Sequence, residues 1–159
     1  MQWSKITDII LAASLAVLGV FAILGLNQWI QRKSLKKVDK PLLAMFVPLI
    51  LMAVTYIIFD KFLVLNIRPN GSGEPSFPST HTMVVATIFL CVAIILPRYI
   101  KSKVAVITLD ILMFALTILV CLGRVLADMH WISDVAGGLI FAIIFAVIYY
   151  LIIRRYKNA

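Results

Sequence analysis

Apolar positions run almost unbroken over five stretches of the chain, residues 6–30, 42–65, 80–100, 104–122 and 134–153. Each is close to the roughly 20 apolar residues that a helix rising about 1.5 Å per residue needs to cross a bilayer. The pattern predicts an all-α, polytopic membrane helix bundle with about five transmembrane helices. Trp3 and Trp29 bracket the first run, and Tyr99, Trp131 and Tyr156 lie near the ends of others, as amphipathic aromatics at headgroup level do. The first run is too long for the apolar part of a signal peptide, and its positive residues follow it instead of preceding it, so it reads as a retained span. No internal repeat or low-complexity tract divides the chain, and residues 1–159 read as a single membrane domain.

Composition agrees and excludes a water-soluble fold. Hydrophobic residues make up 63% of the chain and charged residues 14%, against about half and a quarter in soluble domains. Mean hydropathy is +1.06. The net charge of +8 does not point to nucleic acid, because the basic residues form short clusters between apolar runs with no stripe of base-stacking aromatics. Cys91 and Cys121 sit singly within apolar runs, which suits buried small hydrophobes better than a disulfide or a metal site.

The basic clusters orient the bundle. Arg32, Lys33, Lys36, Lys37 and Lys40 follow the first span, Arg98, Lys101 and Lys103 follow the third, and Arg154, Arg155 and Lys157 follow the fifth. With five spans these three segments share one face, and they hold eleven of the fifteen basic residues. The positive-inside rule makes that face cytoplasmic. The N-terminus and the second and fourth loops are then outside, with Lys5, Lys61, Arg68 and Arg124 as the outer cations. Asp110 lies within the fourth span, where a carboxylate should face the bundle interior. Thr55, Thr87 and Lys103 are its candidate partners, and it stands apart from the outer face.

Candidate chemistry gathers outside. Residues 66–79, rich in Pro, Gly, Asn and Ser, read as an irregular and functional loop. Lys61 and Arg68 flank the outer end of the second span. Alone each is an interfacial anchor; together they suit an anion. Ser79 is a plausible cap of the third span, whose free N–H groups also favour an anion, and His81 sits in its first turn. His130 and Asp134 are four residues apart, so a carboxylate is placed to fix the imidazole tautomer and leave the other nitrogen nucleophilic. Capping and interfacial anchoring explain each pair singly. Three cations, two histidines and an acid on one face are what phosphoryl transfer requires. The outer carboxylates Asp60, Glu74, Asp128 and Asp134 form no obvious ligand set, so no metal and no cofactor are expected.

The segments Lys61-x6-Arg68-Pro69, Pro78-Ser79-x-His81 and Arg124-x5-His130-x3-Asp134 resemble the three-part signature of the type 2 phosphatidic acid phosphatase (PAP2) superfamily, whose core is shared with vanadium haloperoxidases. The resemblance covers residues 42–153 and leaves the first span as an attachment; members of the family commonly have six spans. It implies a lipid phosphatase in which His130 attacks phosphorus to form a phosphohistidine, Asp134 orients His130, and His81 protonates the leaving oxygen. Lys61, Arg68 and Arg124 would bind the phosphoryl oxygens with help from Ser79 and the backbone N–H groups beside it, Thr80 among them. Thr80 stands where the family commonly has Gly, and Gly123 where it commonly has Ser, which removes one phosphate-bonding hydroxyl. The implied substrate is a lipid phosphate or diphosphate at the outer leaflet, of the undecaprenyl diphosphate, phosphatidylglycerol phosphate or phosphatidic acid type, in a bacterial cytoplasmic membrane, with undecaprenyl diphosphate favoured. A lipid phosphotransferase on the same scaffold and a non-catalytic lipid-phosphate-binding protein are the alternatives. Oligomeric state is not legible.

Overall fold

The computed structural model describes residues 2–156. Lys157, one of the three basic tail residues, lies outside them. Among the described residues five helical segments are long and apolar enough to cross a membrane. α1 spans Gln2–Arg32; α2 (Lys40–Ala44) and α3 (Phe46–Ile57) form the second crossing; α4 is Thr80–Tyr99, α5 Lys103–Leu126 and α6 Ile132–Ile153. The expected runs of residues thus become the helices, with ends shifted by a few positions. α5 continues one turn beyond residue 122 and so carries Arg124 on its last turn.

The second crossing is the irregular one. Pro48 has no N–H to give the Ala44 carbonyl, and the helix breaks at Met45 between α2 and α3. At the far end the turn widens to a π-helical one over Ile58–Phe62, a form often found at functional sites.

α4 is the centre of the bundle. It packs against α1, α5 and α6, and Met83, Val85, Ile88, Val92 and Ile95 are fully enclosed. The outward positions Ile107, Ile111 and Phe114 of α5 are 58%, 64% and 69% exposed, which is a lipid-facing stripe and not a defect, since a bilayer carries no penalty for apolar surface. The tightest crossing is α4 on α6. A Cβ at Gly138 would stand 2.8 Å from the Ser79 carbonyl oxygen, and one at Gly137 would overlap the Phe77 ring. The glycine pair therefore permits this close packing. Gly138→Ala is expected to part α4 from α6 and lower the melting temperature in detergent, since overpacking costs about 1–3 kcal/mol.

One end of the bundle gathers the basic segments. Asp39 accepts from Gln28 Nε2 at 2.8 Å, Arg32 Nη1 at 3.0 Å and the Tyr99 hydroxyl at 3.3 Å. Partial burial works against its charge, but these three donors outweigh it and hold the carboxyl below its ordinary range. Arg98 donates to the Tyr156 carbonyl at 3.4 Å, so the loop after α1, the end of α4 and the tail meet.

Asp110 Oδ1 is buried without a hydrogen-bond partner among the described residues. Thr87, one of its expected partners, donates to the Met83 carbonyl instead.

Candidate active site

The opposite end holds the loop of residues 66–79, which is more ordered than its composition suggests. Ile67 and Pro75 form an antiparallel bridge, closed by Arg68 N–H to the Glu74 carbonyl at 3.0 Å and Ser76 N–H to the Asn66 carbonyl at 2.9 Å. Gly71 and Gly73 take φ of +76° and +74° at its tip, a conformation that favours glycine. The Trp131 indole donates to the Ile67 carbonyl at 2.8 Å and ties the loop to the start of α6. A cis Phe77–Pro78 bond leads into α4.

Beneath this loop lies a cavity of about 270 Å³, lined by Arg68, Ser76, Thr80, His81, Arg124 and His130 among others. Arg68, His81, Arg124 and His130, from three separate stretches of the chain, are thereby brought together. His130 is 4% exposed. Its Nδ1 is 2.8 Å from the Ser76 carbonyl oxygen. A carbonyl only accepts, so Nδ1 carries the proton and Nε2 presents a lone pair. Arg124 Nη2 lies 3.3 Å from that Nε2. Burial and the Arg124 charge push the His130 imidazole down to about 4, which keeps the ring neutral and nucleophilic near neutral pH.

Asp134 does not make the bond expected of it. Its Oδ2 is 3.8 Å from His130 Nδ1, too long for a hydrogen bond. It accepts instead from Trp131 N–H at 2.9 Å, closing the first turn of α6, while Oδ1 accepts from Asn66 Nδ2 at 2.6 Å. The carbonyl of Ser76 is the group that sets the His130 tautomer. It was invisible in the sequence because a main-chain acceptor carries no residue signature. Asn66, whose side-chain amide holds Asp134 and whose carbonyl holds Ser76 N–H, was missed because its partner lies 68 residues away in the chain.

The cations divide. Arg68 donates to Glu74 Oε2 at 2.6 Å, and its Nε is buried without a partner among the described residues. Arg124 is 4% exposed with Nε likewise unpartnered. Two buried guanidinium N–H groups left over in one cavity are an anion site awaiting its acceptor. Lys61 is not brought in. Its ammonium pairs with Asp60 Oδ2 at 2.7 Å and stays largely exposed; Asp60 lines the cavity in its place. Ser79 is fully buried at the head of α4. Its hydroxyl makes no capping bond and has no partner among the described residues, and its N–H donates to the Asp134 carbonyl at 2.9 Å.

Sequence reasoning missed one whole side of the site, that of α1. Thr7 and Asp8 reach Arg124 at 3.5 and 3.9 Å, and Asp8 Oδ1 is 2.9 Å from His81 Nε2. The signal was present: an acid seven residues into an apolar span is costly unless it faces a partner. The same contact explains Gly123. A Cβ there would fall 2.6 Å from the Thr7 methyl, so the fit of α1 against α5 requires glycine, and the Thr7 hydroxyl stands beside Arg124. Gly123→Ser is therefore expected to destabilise the protein by about 1–3 kcal/mol by overpacking. The Thr7→Ser change removes the obstructing methyl and should recover most of it. A double-mutant cycle on detergent melting temperatures measures this, and simple additivity would refute the coupling.

The PAP2 superfamily matches residues 42–157 of the chain. The crystal structure of a transmembrane PAP2-type phosphatidylglycerolphosphate phosphatase from Bacillus subtilis superposes with a TM-score of 0.75 at 20% identity, covering 98% of this chain and 77% of that one. No curated protein matches.

Proposed function

The chain belongs to the PAP2 superfamily, and from that membership we propose that it is an integral membrane lipid phosphatase working through a phosphohistidine on His130. The observation that carries this reading is the neutral, unprotonated Nε2 of His130 held beside the Arg124 guanidinium in a cavity with two unsatisfied arginine N–H groups. Arg124 Nη2–H points at that lone pair. A phosphoryl oxygen that accepts this N–H frees the lone pair for phosphorus. Arg68 and Arg124 then hold the equatorial oxygens, where charge grows in the transition state. The N–P bond forms as the P–O bond to the leaving group breaks, and His81 gives that oxygen its proton. Water next attacks the phosphohistidine, returns a proton to His81 and releases inorganic phosphate.

A lipid substrate suits the surroundings. A second cavity of about 370 Å³ lies between α1 and the α2–α3 pair, lined by apolar residues including Leu18, Phe21, Leu42, Phe46 and Leu49. Leu11 and Tyr56 of the same two walls border the catalytic cavity. The tail of a lipid whose phosphate sat at His130 would run from the Leu11–Tyr56 wall along α1 and α3 towards that groove, which extends to Trp29, Leu35 and Val38 near the basic end. The basic segments at the far end support placing them in the cytoplasm and the site outside.

The test is phosphate release in detergent from a panel containing phosphatidic acid, phosphatidylglycerol phosphate and undecaprenyl diphosphate. Release should occur on at least one, survive EDTA and fall with micromolar vanadate, whose trigonal-bipyramidal form resembles the transition state. Phosphate appearing on an acceptor lipid instead of free in water would make it a transferase. Tight binding without turnover on every lipid would sink the enzymatic reading.

A further inference from the structure

α1 lies outside the stretch that matches the family, yet it closes the catalytic cavity. The packing of Thr7 into the space left by Gly123 fixes its depth and rotation against α5. The next residue, Asp8, consequently lies against the site. Asp8 Oδ1 is 2.9 Å from His81 Nε2 and 3.9 Å from Arg124 Nη1. Both partners line the cavity. The His81 ring is itself four-fifths enclosed, while the Asp8 carboxylate keeps a 56% exposed face.

We propose that Asp8 is the positioning residue for the proton donor, so that the first span completes the catalytic apparatus instead of merely anchoring it. The inference rests on the phosphatase reading above and on His81 as the donor within it. An ionised carboxylate only accepts, so the Asp8 bond keeps a proton on His81 Nε2. The ring is thereby held in one orientation, and its Nδ1 is the nitrogen that exchanges a proton with substrate. In the imidazolium form Nδ1–H goes to the leaving oxygen as its bond to phosphorus breaks. His81 is then neutral with Nε2–H still on Asp8, and the proton lost by the attacking water returns to Nδ1 in the second step. Asp8 neither gains nor loses a proton in the cycle.

This arrangement has a signature that packing alone does not produce. A positioned acid matters in proportion to the basicity of the leaving group. Asp8→Asn preserves shape but takes away the obligatory acceptor. It should lower kcat for a phosphatidic acid, whose leaving alkoxide needs a proton, by about 10- to 100-fold with KM changed less than about twofold. For p-nitrophenyl phosphate, whose leaving group departs unprotonated, the fall should be under about threefold. Asp8→Glu should recover part of the loss, and Asp8→Asn placed in a His81→Asn background should add almost nothing. Equal losses on both esters would mean that Asp8 only packs α1. A gain in kcat/KM with Asp8→Ala would mean that its carboxylate competes with the phosphate. Wild-type activity in Asp8→Asn on both esters would remove any role. Each of these overturns the inference while leaving a working phosphatase. If phosphatidic acid is not turned over, the same comparison is made with whichever lipid of the panel is; failure of the wild-type protein to release phosphate from every lipid of the panel and from p-nitrophenyl phosphate overturns the phosphatase reading and this inference together.

Discussion

His130→Ala is expected to abolish phosphate release, lowering kcat by at least about 10⁴-fold, because a missing nucleophile leaves no covalent route and the remaining groups only bind. The fold should survive. The imidazole makes two polar contacts, to the Ser76 carbonyl and to Arg124, and the core around α4 does not include it. Unchanged helicity and unchanged elution in detergent would show this, and full activity in the variant would rule out the nucleophile assignment. Rapid quenching of the wild-type enzyme with a ³²P-labelled substrate should trap an acid-labile, base-stable phosphoprotein that the variant lacks. The pH dependence follows from the same geometry. Burial and the Arg124 charge place the His130 pKa at about 4 instead of its ordinary 6.5, so the imidazole stays neutral well below pH 6. The acid limb of kcat/KM that belongs to it should lie near pH 4. The unfolded chain takes up a proton near 6.5 that the native ring refuses until about 4. Native stability is therefore highest above pH 6.5 and declines as pH falls from there towards 4.

The second large effect is expected at Arg124. Arg124→Ala should cost about 10³-fold in kcat/KM, the scale of removing a preorganised donor from a transition-state oxyanion. Arg124→Lys should recover little. The guanidinium reaches Thr7 and His130 in two directions from one buried position, and an ammonium on a flexible stem cannot reproduce that planar fork. Vanadate affinity should fall alongside kcat/KM, since the clamp is strongest in the trigonal-bipyramidal state. A variant that lost activity but kept vanadate affinity would show that Arg124 acts on the fold and not on the anion. Lys61→Ala is the useful contrast. Its ammonium pairs with Asp60 outside the cavity, and its loss should change kcat/KM far less.

Much of this protein is readable from the chain because a bilayer enforces a simple rule. Every backbone polar group in hydrocarbon must be bonded within its own segment, so a run of twenty apolar residues becomes a helix whatever its neighbours do. The five spans, their alternation across the membrane and the gathering of the basic segments at one end follow from that rule and from counting. The kinds of group in the site were also legible, because cations and histidines at span ends are scarce in a chain that is only 14% charged. Their partners were not. Spacing placed Asp134 one turn from His130, but the torsions of the α6 cap turn its carboxylate to Trp131 N–H and Asn66, and the Ser76 carbonyl from a distant loop takes its place at Nδ1. Lys61 matched its motif in number, yet the π-helical turn that carries it leaves it paired with Asp60 outside the cavity. Thr7, Asp8 and Gly123 belong to segments more than a hundred residues apart, and their complementarity exists only where α1 crosses α5. The two histidines were visible as a pair from the outset. Which nitrogen of each carries the proton is settled by groups that touch them across the bundle, since a tautomer is fixed by a hydrogen bond at about 3 Å and not by position along the chain.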